Sequence, residues 1–287
     1  MFFGLHVSIG KGLARAVQTA EALTCECLQI FAGNPRGWAR KPLDEKEVRR
    51  FQSAREASSI KKVAVHLSYL PNLASADAEL YEKSVLAMGE DYRRAVSLGA
   101  DYFVVHPGAG GDGNKEEALE KVAKGINTVL TEVRGETLIL LENQAGGGTE
   151  LAGDLRDLGL ILGQVKEAAR TGICLDTCHA YAAGYELRTA QGLAEVWQEV
   201  EEAVGLDRLY LLHLNDCLGE KGSHLDRHTH IGEGKIGLAG FKLIVNHPAL
   251  IGRAGVMETP RSSDQDDLRN LEMIRSLVAG GQGQDGQ

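Results

Sequence analysis

Short apolar runs alternate along this chain with longer segments in which apolar residues recur every three or four positions. The short runs predict buried strands, and the longer period predicts amphipathic helices. The first two predicted strands are FFGLHV and ECLQIF (26–31), and six more follow at intervals of about 35 to 45 residues. Each interval is long enough for one strand and one helix.

The predicted helices fill the segments between these strands. They cover residues 12–22, 44–58, 77–98, 115–134, 154–170, 190–204 and 264–279. In the first of them Leu13, Ala16 and Val17 lie on one face, as a helix packed on a core requires. Two of the others end just before Gly99 and Gly135, and glycine is the residue that most often closes a helix.

Regular alternation of strand and helix predicts a parallel sheet, and eight such units predict closure into a barrel. The predicted fold class is therefore α/β, a single-domain (β/α)8 TIM barrel over residues 1–279. An open doubly wound sheet is the competing architecture, but it would not bring as many strand ends around one point. Residues 280–287 are polar and rich in glycine, and they are expected to form a disordered tail.

The ends of the predicted strands carry residues that can bind a metal ion. Six strands end in this way, at His66, His106, Glu142, Asp176, His213 and Glu258. The C-terminal ends of all strands in a parallel barrel meet at one rim, so these side chains are predicted to converge there. Charged groups at such a rim cost desolvation energy unless they are paired or bind metal. The pattern therefore predicts a multinuclear metal site.

Order around the rim suggests how the ligands divide. His66, His106 and Glu142 end neighbouring strands and form one predicted group. The second group consists of Glu142, Asp176, His213 and Glu258. Glu142 belongs to both, and two ions that share a carboxylate lie about 3.5–4 Å apart, as in two-metal hydrolases. His6 also ends a strand, and it is read as an ordinary polar residue or as a support for the ligands.

A third group is predicted in the loops. LDTCH places His179 three residues after Asp176, and DRHTH places Asp226 and His228 on one side of an extended segment. His230 lies on that same side and is a weaker candidate. A plain two-metal isomerase has no need of this third group.

The net charge of the 287-residue chain is −9, and this bears on the kind of partner that the protein can bind. Taken alone, an acidic balance argues against nucleic acid as a partner. Three bound divalent ions would add six positive charges, which brings −9 to −3, and the field at the rim would then be cationic. Mixed nitrogen and oxygen ligands suit Zn²⁺, and also Mn²⁺ or Fe²⁺ at one or more sites.

The remaining features predict a cytoplasmic protein. The five cysteines are odd in number and form no C-x-x-C pair, which is typical of reduced intracellular thiols. No apolar run reaches the length of about 18 residues that predicts a membrane span. The start MFFGLHVSIG lacks the basic and long apolar segments of a secretory signal. We expect a monomer that does not associate with membranes.

Several motifs together resemble those of the endonuclease IV family of apurinic/apyrimidinic endonucleases. The matching runs are GLHVS, NPRGW, HLSYL, VVHPG, LLENQAG, CLDTCHAYAAGY, HLNDC, DRHTHIGEG and METP. They follow the order of the family over almost the whole chain. The nine metal ligands of the family each have a counterpart here, at His66, His106, Glu142, Asp176, His179, His213, Asp226, His228 and Glu258. His230 falls outside that set.

The resemblance implies a (β/α)8 barrel with a trinuclear zinc cluster that acts on double-stranded DNA. Such an enzyme hydrolyses the phosphodiester 5′ to an abasic site and leaves a 3′-hydroxyl and a 5′-deoxyribose phosphate. It also removes blocking groups from 3′ ends as a phosphodiesterase and phosphatase. Glu142, the ligand shared by two groups, is the predicted catalytic residue.

The resemblance also gives a role to two loop residues. Arg36 in NPRGW and Tyr69 in HLSYL match residues that the family inserts into the duplex at the lesion. Without the resemblance, Arg36 and Tyr69 would be interpreted as a solvated loop arginine and a half-buried loop tyrosine. Wedges of this kind fill the gap that a flipped nucleotide leaves in the stack. The glycine-rich stretch at 145–153 lacks the GK[ST] of a phosphate-binding loop, and it is either a flexible rim loop or a backbone contact to a DNA phosphate.

Two rival functions follow from the same residues. A divalent-metal sugar isomerase also uses His and carboxylates at a barrel mouth, but it lacks the third group and the inserting residues. A catalytically silent binder of abasic DNA is the other rival. A complete ligand set argues against it, and a turnover assay separates the two.

Overall fold

The computed structural model describes residues 1–39 and 42–279, and the predicted tail at 280–287 lies outside the described residues. The strands are β1 (Phe2–His6), β2 (Cys27–Phe31), β3 (Lys62–His66), β4 (Tyr102–Val105), β5 (Leu138–Glu142), β6 (Thr171–Asp176), β7 (Leu209–His213), β8 (Asp216–Cys217), β9 (His228–Thr229) and β10 (Ala254–Met257). β8 and β9 pair with each other in antiparallel fashion, and the other eight close a parallel barrel in which chain neighbours are also spatial neighbours. The predicted TIM barrel is confirmed.

Helices surround the barrel. They are α1 (Leu13–Ala22), α2 (Glu45–Glu56), α3 (Ala78–Leu98), α4 (Lys115–Glu132), α5 (Arg156–Leu162), α6 (Thr177–Ala183), α7 (Ala190–Ala203), α8 (Gly237–Val245) and α9 (Asp264–Ser276). Short 3₁₀ turns lie at Ala168–Arg170, Leu206–Arg208 and Pro248–Leu250. Within the described part of the chain, no helix combines the length and apolar character needed to cross a membrane.

Polar side chains set where several of these helices begin. Asp44, Asp77, Asn114 and Thr189 precede α2, α3, α4 and α7, and each side chain accepts a hydrogen bond from a backbone N–H of the first turn. Such caps satisfy donors that the helix cannot satisfy itself, and each contributes about 1 kcal/mol. The helices therefore begin close to the predicted positions.

The helix predicted at 154–170 is wrong in its length. α5 ends at Leu162, and the next residues form turns before the 3₁₀ segment. Asn127 of α4 explains the break, because its side chain donates to the Gln164 carbonyl at 3.0 Å and accepts from the Lys166 amide at 2.9 Å. These bonds replace the helical pairing of the same backbone groups, and tertiary contacts thus override the periodic pattern.

Two helices were not predicted. α6 follows β6 directly, because the Asp176 side chain accepts from the backbone N–H of His179 at 2.9 Å and caps a helix where the strand ends. α8 has the sequence GLAGFKLIV, in which apolar residues occupy nearly every position. A segment with a single polar side chain, Lys242, shows no helical period.

The core has two parts that together place the functional end of the barrel. A large cluster joins the outer face of the strands to the helices. A smaller cluster fills the barrel interior, with Cys27, Ala64, Tyr102, Val104, Leu140, Cys174, Leu211, Ala254 and Val256 as its buried members. The interior is therefore a packed apolar floor, and polar side chains gather above it at the C-terminal ends of the strands.

Gly4 of β1 offers a test of how tightly the barrel is closed. A Cβ at this position would lie 1.8 Å from the Cys27 carbonyl oxygen, so β1 and β2 would have to separate. We expect Gly4→Ala to destabilise the fold by about 3 kcal/mol, the upper range for overpacking, measured by urea unfolding. The control Gly10→Ala has its nearest neighbour at 3.4 Å and should change stability little. Equal stability of both variants would contradict the close approach of the two strands.

Candidate metal centre

A cavity of about 460 Å³ opens at the C-terminal end of the barrel. Six of the nine predicted ligands line it, namely His66, His106, His179, Asp226, His228 and Glu258. Glu142, Asp176 and His213 lie deeper and are fully buried. The strand ends, the first turn of α6 and the loop before β9 therefore bring all nine predicted ligands to one place.

Glu142, at the end of β5, occupies the centre of this arrangement. Its Oε2 atom lies 3.1 Å from His66 Nε2 and 3.0 Å from His106 Nε2. Its Oε1 atom lies 2.8 Å from His213 Nδ1 and 3.5 Å from His179 Nδ1. One carboxylate thus faces four imidazoles, with two on each oxygen, and this is the geometry expected of a shared ligand.

The second predicted group surrounds His213 Nδ1. Besides Glu142, Glu258 Oε2 lies 3.4 Å and Asp176 Oδ2 lies 3.8 Å from this nitrogen. Three carboxylates therefore point at one imidazole nitrogen from β5, β6 and the end of β10. The potential ligand atoms of Glu142, Asp176, His213 and Glu258 all lie within 4.8 Å of one another.

The third predicted group forms beside the β8–β9 hairpin. Asp226 Oδ2 lies 3.3 Å from His179 Nε2, and Asp226 Oδ1 lies 3.1 Å from His228 Nε2. Asp176 Oδ2 approaches the same nitrogen of His228 at 3.7 Å. The loop residues and the first turn of α6 therefore complete a cluster next to the strand-end residues.

Buried carboxylates and imidazoles shift the pKa values of one another in this site. Burial raises the pKa of Glu142, but His213 and His106 outweigh that effect and hold the pKa well below its usual range. Burial lowers the pKa of His228, but Asp176 and Asp226 raise the pKa to about 9. The carboxylates thus concentrate negative charge in a buried place, and a divalent cation there would neutralise it.

Neighbouring groups orient the imidazoles toward the interior of each cluster. His66 Nδ1 lies 2.7 Å from the Leu67 carbonyl, and His179 Nδ1 lies 2.9 Å from the Asn143 carbonyl. A carbonyl only accepts, so these nitrogens carry the hydrogen and leave Nε2 free for a ligand bond. The buried Nε2 atom of His228 faces the carboxylates of Asp226 and Asp176, at 3.1 and 3.7 Å. Donor types and orientation therefore fit divalent metal ions.

Two cysteines also come close to the clusters. Cys174 Sγ lies within range of Glu142 and His213, and Cys178 Sγ lies within range of Asp176 and His228. Burial raises the pKa of Cys174 to about 12, which keeps a thiol rather than a thiolate there. The five cysteines are free and buried.

Other histidines stay outside the clusters. His224 Nδ1 lies 2.8 Å from the Ala145 carbonyl and donates its hydrogen to that oxygen. His230 Nδ1 lies 3.0 Å from Asn270 Nδ2. His6 contacts Glu258 through Nδ1 at 3.0 Å. None of the three belongs to a group of potential ligands among the described residues.

Arg36 and Tyr69 lie on adjacent loops beside the cavity. Both are exposed, and Tyr69 keeps 67% of its surface open to solvent. The backbone N–H of Tyr69 donates to the Pro35 carbonyl at 3.2 Å, and the Tyr69 ring meets the edge of Phe31 at 5.1 Å between centroids. The two loops are therefore tied together.

The glycine-rich stretch at 145–153 is fastened to its surroundings. Gln144 N donates to the Ala152 carbonyl at 3.1 Å, Gly110 N to Thr149 O at 3.0 Å, and Leu151 N to Gly108 O at 2.9 Å. The last two of these bonds join it to the loop after β4. They argue against the flexible-loop interpretation.

Several polar residues that support the ligands were missed by the sequence analysis. Asn143 Oδ1 accepts from Asp176 N at 2.7 Å, and Asn215 Nδ2 donates to Asp176 Oδ2 at 2.6 Å. Both follow a predicted ligand by one or two positions, in LLEN and HLND, and that adjacency was the available signal. Gln29 was also missed, although it is the one polar residue between the ends of the run CLQIF.

Asp216 of β8 holds the loop that follows the β8–β9 hairpin. Its buried carboxylate accepts hydrogen bonds from the backbone N–H groups of Gly232 and Gly234 at 2.9 and 3.0 Å, and from that of Ile236 at 3.0 Å. Hydrogen bonds to a charged group contribute about 1.5–3 kcal/mol each. This cage fixes the segment that follows His228.

We expect Asp216→Asn to destabilise the protein by about 3 kcal/mol, because an amide NH₂ would face backbone donors. Thermal unfolding measures the change, and metal analysis should show weaker retention at the third group. Asp207→Asn is the control, since Asp207 is exposed at the opposite end of the barrel. An Asp216→Asn protein as stable as the control would show that the cage does not hold the loop.

Comparison with known proteins agrees with this geometry. A family model described as a xylose isomerase-like TIM barrel matches residues 17–277. Proteins named probable endonuclease 4 from Halothermothrix orenii and Methanoculleus marisnigri are 40% identical over 277 residues and 43% identical over 276 residues. Each match covers 96% of this chain and 99% or 98% of the relative.

Solved structures give the same result. Endonuclease IV from Thermus thermophilus is 38% identical, with a TM-score of 0.86 and coverage of 96% of this chain and 98% of that chain. A D-tagatose 3-epimerase-like protein, 20% identical with a TM-score of 0.69 over 96% of this chain and 97% of that chain, shares the fold alone. The chain therefore belongs to the endonuclease IV family of metal-dependent apurinic/apyrimidinic endonucleases.

Proposed function

We propose that this protein hydrolyses the phosphodiester 5′ to abasic sites in double-stranded DNA and leaves a 3′-hydroxyl and a 5′-deoxyribose phosphate. The observation that carries the proposal is the third group, His179, Asp226 and His228, next to two groups that share Glu142. A sugar isomerase needs no such addition. Three ions at these groups, with zinc as the resident metal and Mn²⁺ or Fe²⁺ as substitutes, suit the nitrogen and oxygen donors.

Hydrolysis of a phosphodiester needs a nucleophile, a neutralised phosphate and a stabilised leaving oxygen. When bound, the metal ions supply Lewis acidity and lower the pKa of water. His66 and His106 would hold one ion with Glu142, and Asp176, His213 and Glu258 would hold a second with the same carboxylate. As an ionised carboxylate, Glu142 also accepts a hydrogen bond and can orient an attacking water.

The charge that bound metal ions would create at the barrel mouth supports the proposal of a polyanionic substrate. The protein carries a net charge of −9, and four of its carboxylates stand in the clusters. With divalent ions bound, these carboxylates would be neutralised and the local field would be cationic. The same mouth would accept a 3′-terminal phosphate or phosphoglycolate, so removal of blocking groups from 3′ ends belongs to the proposal.

Arg36 and Tyr69 would engage the duplex beside the lesion. Exposed aromatic and guanidinium side chains can replace the stacking that a displaced nucleotide loses. The hydrogen bond between Tyr69 and Pro35 keeps their loops together, so both side chains would enter from one edge of the cavity. The protein would act as a monomer in the cytoplasm.

The decisive test combines metal analysis with incision of an abasic-site duplex. We expect about three zinc ions per chain and cleavage on the 5′ side of the lesion. Glu142→Gln should keep the fold but lower the incision rate by a factor on the order of 10² or more, because the shared ligand loses its charge. The exposed Glu117→Gln is the matched control.

Two results would overturn this proposal. The first is full incision activity with two or fewer ions per chain. The second is a Glu142→Gln protein that turns over at the wild-type rate, which would remove Glu142 from the chemistry. Epimerisation of a ketose without incision would favour the isomerase instead.

A second test addresses lesion recognition. Arg36→Ala and Tyr69→Ala should lower kcat/KM on an internal abasic site while metal content stays unchanged, since their contacts precede the chemistry. The loss of kcat/KM should be smaller on a 3′-phosphate end, because little base stacking has to be broken there. Arg49→Ala, on the exposed face of α2, is the control. Equal losses of kcat/KM on both substrates would show that Arg36 and Tyr69 support the active site in general and do not recognise the lesion. No loss of kcat/KM on either substrate would exclude a recognition role.

A further inference from the structure

Gln29 is a buried polar residue in an apolar strand. It lies in β2, within the run CLQIF, and its exposed fraction is 0%. A buried amide that lacks hydrogen bonds costs several kcal/mol, so its partners matter. Those partners are His213 at the end of β7 and Glu258 directly after β10, and neither strand is a neighbour of β2 in the barrel.

The contacts of Gln29 fix the orientation of its amide. One end of the amide lies 2.6 Å from Glu258 Oε1, and the other lies 2.9 Å from His213 Nε2. The Glu258 carboxylate only accepts hydrogen bonds, so the amide NH₂ must face it. The amide oxygen then faces His213 Nε2, which must carry a hydrogen and donate it.

This arrangement determines which His213 nitrogen is available to a metal ion. With the hydrogen on Nε2, the lone pair of a neutral imidazole is on Nδ1. That atom is the one surrounded by Glu142, Glu258 and Asp176, at 2.8, 3.4 and 3.8 Å. Gln29 thereby selects the tautomer that a ligand at this place requires.

The same amide also sets the rotation of the Glu258 carboxylate. Its Oε1 atom receives the Gln29 NH₂ at 2.6 Å and lies 3.0 Å from His6 Nδ1. The other oxygen, Oε2, is then turned toward His213 Nδ1. Since the amide nitrogen of Gln29 is also 3.0 Å from His6 Nδ1, His6 completes the set of partners.

We propose that Gln29 is a positioning residue for the second group, and that its one amide presents His213 Nδ1 and Glu258 Oε2 to the same divalent cation. The inference rests on the proposed function, because it assumes a metal at that group. Backbone carbonyls orient His66 and His179, whereas His213 depends on a side chain. That dependence can be removed by substitution.

Gln29→Leu tests the role, because leucine has a similar size and makes no hydrogen bonds. We expect 10- to 100-fold weaker retention of one of the bound ions, as is usual for loss of a group that orients a ligand. Competition between the protein and a chromophoric chelator for Zn²⁺ measures this directly. Ions at the first and third groups should be retained as in the wild type.

Thermal unfolding separates positioning from ordinary packing. Gln29→Leu should lower the melting temperature of the metal-free protein, because His213 Nε2–H and Glu258 Oε1 lose a hydrogen-bond partner. The same substitution should lower the melting temperature of the zinc-loaded protein by more, because weaker zinc binding adds to that loss. A purely structural glutamine would lower both values alike.

Gln144→Leu is the matched control. Gln144 is also a buried glutamine near the mouth, but its Oε1 accepts from the backbone N–H of Gly108 at 2.9 Å. We expect its zinc retention to stay within about twofold of the wild type. Gln29→Met, which is unbranched and adapts to its surroundings, provides the same measurement if the leucine variant does not fold.

The outcomes distinguish this inference from the proposed function. A wild-type protein that binds no zinc tightly would overturn the proposed function and leave no second group to position. A wild-type protein that retains its ions, with Gln29→Leu and Gln29→Met retaining them equally well, would overturn the role of Gln29 alone. Equal destabilisation of the metal-free and zinc-loaded variants would also overturn it.

Discussion

The site depends on the interaction between the buried carboxylate of Glu142 and the imidazoles around it. A negative charge fully removed from water is unfavourable unless opposite charge surrounds it, and here imidazoles from three other strands and from α6 approach its two oxygens. Several of these imidazoles face a further carboxylate in turn. The constellation is thus one coupled electrostatic system, and removal of a central member leaves another member without its partner.

The barrel supplies the rigidity that this coupling needs. Packed apolar residues fill the interior below the site, so the strand ends cannot collapse inward to relieve the repulsion between carboxylates. The loops contribute less regular support, through the Asp216 cage and the asparagines that hold Asp176. Strands position the centre of the site, and hydrogen-bonded loops position its edge.

The sequence predicted the barrel and the position of its strand-end ligands well, because both follow from simple periodicity. Apolar runs of strand length ended at His66, Glu142 and His213, and the structure ends β3, β5 and β7 at those residues. The third group was predicted from the local spacing in LDTCH and DRHTH, and the resemblance to known motifs then placed His230 outside it. Helix lengths were less predictable, as the break after α5 is made by Asn127, a residue distant in sequence. Gln29 was missed because its partners, His213 and Glu258, are distant from it in the sequence.

The spread of the ligands along the chain has a consequence for folding during synthesis. The first group is complete once residue 142 is available, and the third once residue 228 is available, but the second must wait for Glu258, directly after the final strand. Contacts between such distant residues form late, because a long loop must be closed first. Occupation of the second group by an ion would therefore report closure of the barrel. A chain truncated before β10 would lack Glu258 and would expose Glu142, Asp176 and His213 without that fourth candidate ligand.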